Sequence, residues 1–132
     1  MVELYESIQE FVVAEIDGEL VGCGALHVMW QDLGEVRTLA VAESAKRKGI
    51  GAAILSELLE RAKALGIQRI FCLTFEKEFF AAHGFAEISD IPVNPETYAE
   101  LVRSHDEGVA EFLDLARVKQ NTLGNSRMLR NL

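Results

Sequence analysis

The chain has 132 residues and carries 13 Lys and Arg against 21 Asp and Glu, which gives a formal net charge of −8. Its hydrophobic content of 49% is that of one globular domain with a core, so a disordered chain is excluded. The acidic charge argues against a nucleic-acid partner, because duplex binding depends on cations that neutralise phosphates. A membrane helix needs an apolar run of about 20 residues, and the sequence contains none, so we expect no membrane partner. The first residues lack the basic segment that begins a signal peptide, so we expect a cytoplasmic protein.

The first third of the chain predicts a helix and three strands. Leu4, Ile8 and Phe11 recur at helical spacing, so we expect the chain to open in an amphipathic helix. Asp17-Gly18 favours a two-residue hairpin turn, because both turn positions need positive φ. Gly22 and Gly24 indicate a close backbone approach or a bulge. The predicted strands are Phe11 to Ile16, Leu20 to Val28 and Glu35 to Val41.

The rest of the chain predicts helices that alternate with strands. The longest helix follows Gly51, carries a continuous apolar stripe and ends at Gly66. The apolar run Arg69 to Thr74 favours a strand that is buried on both faces. The other predicted elements are a helix at Lys77 to His83, a strand at Phe85 to Ile88, helices at Asn94 to Arg103 and Asp106 to Ala116, and a last strand within Asn125 to Leu132. This order predicts a mixed α/β sheet in a single domain of residues 1–132.

A basic turn before the longest helix indicates an anion site. The first N–H groups of a helix lack internal partners, and the helix dipole places partial positive charge there. Gly49 and Gly51 remove Cβ atoms that would keep a diphosphate away from those amides. Lys46, Arg47 and Lys48 add three positive charges to an acidic chain. The alternative interpretation is an ordinary basic surface turn, in which the glycines serve only chain geometry.

The segment Lys46 to Gly51 resembles the acetyl-CoA motif [Q/R]-x-x-G-x-[G/A] of the GCN5-related N-acetyltransferases (GNAT), with Lys at the first position. The order of elements and the Phe-x-x-x-Gly-Phe segment from Phe80 to Phe85 extend the resemblance over most of the chain. It implies the α/β GNAT fold, a mixed and mostly antiparallel sheet with a V-shaped splay between two central strands. It also implies acetyl-CoA as co-substrate and no metal. The cofactor contacts implied are Leu39, Ala40, Val41, Lys46, Arg47, Lys48, Gly49, Ile50, Gly51 and Ala52.

The strings VGCGALH, LGEVRTLAV, RIFCLTFEKEFFAAHGF, DIPV and NSRML are similar to short, single-domain N-acetylglutamate synthases of actinobacterial type. This closer resemblance implies acetyl transfer to the α-amino group of L-glutamate, in arginine biosynthesis, by direct attack in a ternary complex. The alternatives are an acetyltransferase for another small amine or a protein N-terminus, and a CoA-binding module without turnover. The family pattern begins with a strand and a helix that this chain lacks. We therefore expect an N-terminally truncated domain whose exposed first hairpin favours a homodimer.

Two charged side chains on the third strand are candidates for acceptor chemistry. Strand alternation predicts that Glu35, Arg37, Leu39 and Val41 share one face. Arg37 is a candidate to hold a substrate carboxylate, and Glu35 to orient the amine or accept its proton. The alternative is a mutual ion pair at a solvated strand edge.

The C-terminal segment and the Gly-Phe segment supply the remaining candidates. The resemblance places Arg127 near the side-chain carboxylate of glutamate, the alternative being a surface arginine on an edge strand. Many members of the superfamily use a tyrosine as the acid towards the leaving thiolate, at a position where this chain has Phe80. The thiolate then leaves to solvent or meets another donor, for which Thr74 and Ser126 are the hydroxyl candidates, although such hydroxyls often serve local backbone bonding instead.

Overall fold

Six strands and two helices make up the part of the chain that the structure, a computed structural model, describes, namely residues 8–89 and 126–132. The strands are β1 Phe11–Ile16, β2 Glu19–Trp30, β3 Leu33–Val41, β4 Arg69–Thr74, β5 Ala86–Glu87 and β6 Ser126–Asn131. The helices are α1 Ile50–Ala64 and α2 Lys77–Ala82, and short 3-10 turns lie at Ile8–Glu10 and Glu43–Ala45. The predicted helices of residues 94–103 and 106–116 lie outside the described residues.

The strands form one sheet in the order β1-β2-β3-β4-β6-β5. Only the β3–β4 pairing is parallel, and the other four pairings are antiparallel. Asp17 and Gly18 have φ of 52° and 80°, which is the left-handed turn that closes the first hairpin. The mixed, mostly antiparallel sheet predicted from the sequence is confirmed.

The predicted strand Phe11 to Ile16 is confirmed, and the predicted opening helix is present in the described residues only as a 3-10 turn. Phe11 lies in β1 and pairs with Ala25 of β2, and the preceding helical geometry is limited to the 3-10 turn Ile8–Glu10. The run Phe11-Val12-Val13 is aromatic and β-branched, so it packs well in a pleated sheet. Tertiary pairing therefore outweighs the helical spacing of three apolar residues. Leu4, the first of the three, lies outside the described residues.

Helix α1 packs its apolar stripe on one face of the sheet. The buried core between them consists of Leu26, Val36, Ile54, Leu55, Leu58, Leu59, Ala62, Ile67, Ile70, Cys72, Phe80, Phe85 and Met128. Two glycines of β2 let the helix approach closely. A Cβ at Gly24 would lie 2.7 Å from Cγ2 of Ile54, and one at Gly22 would lie 2.9 Å from its Cδ1. Gly66, with φ of 81°, follows the last turn of the helix, as predicted.

The two central strands separate before they end. β3 and β4 pair at four positions, from Leu33 with Arg69 to Val36 with Cys72. β3 then continues to Val41 and β4 to Thr74 without pairing to each other. The sheet therefore splits into a V whose cleft opens towards the C-terminal ends of both strands, which confirms the splay expected from the resemblance.

We expect Gly24→Ala to lower the free energy of unfolding by about 1–3 kcal/mol, the usual range for overpacking a core. Its Cβ would press on Ile54 and on Leu58, 3.1 Å away, in the middle of the helix–sheet contact. Urea denaturation measures the change. Gly51→Ala is the matched control, because its Cβ would meet atoms no nearer than 3.6 Å. Equal urea midpoints for wild type and Gly24→Ala would contradict this account of the packing.

Candidate active site

The N-terminus of α1 lies at the open end of the V. A Cβ at Gly51 would be 3.6 Å from the ring of Phe79 and 3.7 Å from Cγ2 of Val41. The first turn of the helix is therefore close to both the end of β3 and α2. The N–H groups of a first helical turn have no partner within the helix, so hydrogen-bond donors that the helix does not use lie at the open end of the cleft.

The basic turn that leads into α1 combines left-handed backbone with exposed cations. Arg47 and Gly49 have φ of 66° and 78°, and Gly49 is the N-cap residue of α1. The Lys46 ammonium lies 3.0 Å from Glu43, in a pair so exposed that it contributes little to stability. Arg47 and Lys48 form no ion pair with another described residue and are exposed. The residues predicted to bind an anion, Lys46 to Ala52, are thus adjacent to the cleft.

Strand β3 contains a bulge at the level where the V opens. Thr38 and Leu39 together stand opposite Gly24 of β2, so β3 has one residue more than its partner. Thr38 has φ of 55°, a left-handed conformation that is a true outlier for a β-branched residue. The Cys23 thiol donates to its carbonyl oxygen at 3.4 Å. Gly24 was the sequence signal for this feature, since a bulge was one of its two interpretations.

The bulge corrects the predicted alternation along β3. An extra residue reverses the side-chain order beyond it, so Leu39 packs against the core beside α1 and Val41 lies near Gly51. Glu35 and Arg37 lie on the opposite face of the sheet, because Val36 between them is a core residue. The prediction that Glu35, Arg37, Leu39 and Val41 share one face is therefore wrong. Below, the far face means the sheet face that carries Glu35 and Arg37.

Glu35 and Arg37 form an ion pair on the far face. Nε of Arg37 donates to Oε1 of Glu35 over 2.6 Å. The Glu35 side chain is only 8% exposed and that of Arg37 is 21% exposed. The pair thus exists, but on a central strand and not at a solvated edge.

Burial, with a smaller contribution from the Glu35 charge, raises the pKa of the Cys72 thiol, so this cysteine is a neutral and inert group.

Arg127 reaches the far face from β6. It stands directly opposite Leu73 of β4, and directly opposed residues of an antiparallel pair point to the same side. Leu73 in turn shares the face of Phe71, which is paired with Glu35. Nε of Arg127 is buried and has no hydrogen-bond partner among the described residues. Since buried donors in native proteins are almost always paired, this nitrogen can donate a hydrogen bond to a group other than the described residues, and a bound carboxylate is one such group.

Thr74 and Phe80 lie on the side of the sheet that carries α1. Thr74 is buried, and its hydroxyl oxygen accepts the N–H of Glu76 at 2.8 Å. It stands opposite Ser126 of β6. Phe80 is 5% exposed and meets the rings of Phe79 and Phe85 edge to face. The structure thus separates Thr74 from Glu35 and Arg37, which face the other way.

Comparisons with known proteins agree with this geometry. The sequence profile described as the acetyltransferase (GNAT) family matches residues 3–89. The chain belongs to the GNAT family. It is an acyltransferase that uses acetyl-CoA as co-substrate, as the sequence predicted.

Within residues 8–89 and 126–132, no group of three His, Cys, Asp or Glu could hold a metal ion, and neither helix has the length and apolar character to span a bilayer.

Two curated relatives are amino-acid acetyltransferases. One from Mycobacterium tuberculosis is 59% identical over 132 residues, which are 98% of this chain and 76% of that protein. One from Neisseria meningitidis is 38% identical over 104 residues, which are 77% of this chain and 24% of that protein. The chain therefore spans most of the first relative and about a quarter of the second.

Two crystal structures have the same fold. A Mycobacterium tuberculosis protein in complex with CoA and a second ligand has a TM-score of 0.91 at 59% identity, over 99% of this chain and 81% of that one. The N-acetylglutamate synthase of Neisseria gonorrhoeae, complexed with coenzyme A and N-acetyl-glutamate, has a TM-score of 0.72 at 32% identity, over 98% of this chain and 27% of that one.

We expect Thr38→Gly to raise the free energy of unfolding by about 1 kcal/mol, because glycine relieves the strain of a β-branched residue at positive φ. Urea denaturation measures the change. Ala40→Gly is the control, since Ala40 is an exposed residue on the same strand with no positive φ, and glycine there lowers stability. A loss of stability in both variants would show that Thr38 is not strained.

Proposed function

We propose that this GNAT domain transfers the acetyl group of acetyl-CoA to the α-amino group of L-glutamate by direct attack in a ternary complex, a reaction of arginine biosynthesis. The observation that carries the proposal is the buried Nε of Arg127 on the far face, which has no hydrogen-bond partner among residues 8–89 and 126–132. The relatives support the same conclusion: both curated ones are amino-acid acetyltransferases, and one matching structure is an N-acetylglutamate synthase.

The cofactor end of the cleft suits the two chemical parts of CoA. The amides of the first turn of α1, together with Arg47 and Lys48, would bind the pyrophosphate. Beyond Val36, β3 has no β4 partner, so the backbone of Leu39 to Val41 would bind the amide groups of the extended pantetheine arm as a neighbouring strand would. Gly51 keeps the approach to the helix amides free of a side chain.

The acceptor end would bind a carboxylate through Arg127. Its buried Nε lies on the same face as Arg37, on the strand beyond β4. Arg37 already donates through Nε to Glu35, so part of its charge is compensated. Arg127 is accordingly the principal anchor in the proposal, and Arg37 contributes a second positive group on the other side of the cleft. Two cations on one face suit a dicarboxylate amino acid.

The chemistry forms a C–N bond to the acetyl carbonyl carbon and breaks its C–S bond to CoA. Backbone amides near Leu39 to Val41 would stabilise the negative charge on the carbonyl oxygen in the transition state. In the proposal, Glu35 would orient the ammonium group of the acceptor and accept its proton through water. Cys72 is excluded as an acetyl carrier because it is 1% exposed and its pKa is raised, which supports direct attack.

The proton for the leaving thiolate has no tyrosine source at the family position. Phe80 is buried among aromatic rings and carries no proton to donate. The hydroxyl of Thr74 accepts a backbone N–H and keeps its own O–H, so it remains the candidate donor on the α1 side of β4. Release of the thiolate into water is the other route, and Thr74→Val distinguishes the two through kcat.

Release of CoA thiol with L-glutamate as acceptor tests the proposal. Arg127→Ala should raise KM for glutamate about 10- to 100-fold, the loss expected for a charge-assisted hydrogen bond, and leave KM for acetyl-CoA unchanged. Arg61→Ala is the matched control, because Arg61 is exposed on α1 and pairs with Glu57 at 3.5 Å. Preference for an uncharged or cationic acceptor, or tight acetyl-CoA binding with no thiol release, would overturn the proposal.

Gly51→Ala tests the cofactor end separately. Its Cβ fits the free protein, and alanine is the better helix former by up to about 1 kcal/mol, so urea denaturation should show equal or higher stability. The same Cβ would stand between the helix amides and the pyrophosphate, so acetyl-CoA affinity should fall at least about 10-fold by calorimetry. Undiminished affinity would show that the pyrophosphate binds elsewhere.

A further inference from the structure

We propose that Leu73 sets the length of the dicarboxylate acceptor, an inference that rests on the proposed function of the site. Leu73 lies on β4, the strand that separates the two arginines. Arg127 stands directly opposite it on β6, and both point to the far face. Leu73 is therefore the β4 side chain beside the principal carboxylate anchor.

The register also places Leu73 level with the other cation. Glu35 pairs with Phe71 across the β3–β4 ladder. Arg37 and Leu73 each follow two residues later on their own strands, on the same face. Because the ladder ends between these two levels, the gap between Arg37 and Leu73 is the start of the cleft on the far face.

Burial changes sharply along this row of β4. Phe71 is fully buried at 0% exposure, whereas Leu73 is half-buried. Leu73 is thus the first far-face side chain of β4 that is accessible from the open end of the V. With Arg127 on one side and Arg37 on the other, its isobutyl group forms the floor between the two positive groups.

A side chain between two carboxylate-binding arginines limits how long an acceptor can be when both of its carboxylates are bound. A leucine side chain fills the space that a longer acceptor would need for its additional methylene. One methylene in an apolar pocket changes kcat/KM by about 10- to 200-fold. A smaller residue at position 73 should therefore favour a longer acceptor, and a larger residue a shorter one.

Competition between acceptors of graded length tests the inference, with L-aspartate, L-glutamate and L-2-aminoadipate as the probes. Leu73→Ala should raise the kcat/KM ratio of 2-aminoadipate to glutamate about 10-fold or more, and Leu73→Val should raise it by less. Leu73→Phe should raise the ratio of aspartate to glutamate. Leu132→Ala is the matched control, because Leu132 is a partly buried leucine that packs against the core on the α1 side.

The outcomes separate the two proposals. Unchanged ratios in Leu73→Ala and Leu73→Val, with acetyl-CoA affinity and stability intact, would overturn the role of Leu73 and leave the proposed function standing. An equal shift in Leu132→Ala would also overturn it, since general loosening of the core would then explain the result. Absence of turnover with glutamate in the wild type would overturn the proposed function itself and this inference with it.

Discussion

The end of the β3–β4 ladder at Val36 and Cys72 is the constraint on which the rest of the molecule depends. A continuous parallel ladder would leave no gap between β3 and β4, because the backbone N–H and C=O groups between them would all be hydrogen-bonded to each other. Because pairing stops after four positions, β3 offers an unpaired edge in the middle of the sheet. An edge of this kind is normally a liability, but here it lies inside the domain and faces the N-terminus of a helix.

The bulge at Thr38 gives the two sides of the cleft different chemistry. Before it, β3 presents Glu35 and Arg37 to the far face; after it, Leu39 and Val41 turn to the α1 side. One extra residue therefore separates an ionic side of the sheet from an apolar wall along a single strand. A threonine at positive φ is an unfavourable way to make this change, and its retention at the opening of the V fits the tendency of strain to collect at functional sites.

Local chemistry predicted those features that depend on neighbours in sequence. The Asp17-Gly18 turn, the apolar stripe of α1 and the basic turn before it follow from spacing and residue type, and all are present. The bulge was not predictable from β3 alone, because Thr38 carries no turn signal. Its conformation depends on pairing with β2, where Gly24 stands opposite both Thr38 and Leu39. The buried Nε of Arg127 likewise depends on the pairing of β6 with β4, which joins segments more than fifty residues apart. The strand Phe11 to Ile16 was predictable from its β-branched and aromatic residues, and its pairing partner on β2 follows from the Asp17-Gly18 turn.

The exposed cations of the basic turn are a local exception to the negative net charge of a protein whose co-substrate is an anion. The formal charge of −8 is a sum over the whole chain, and at physiological ionic strength the field of an exposed charge fades beyond a Debye length of about 8 Å. Arg47 and Lys48 directly precede Gly49, the N-cap residue of α1, so they lie within that distance of the helix N-terminus. If the turn binds the CoA phosphates as proposed, the attraction is a short-range one, which the net negative charge of the chain opposes only weakly at physiological ionic strength.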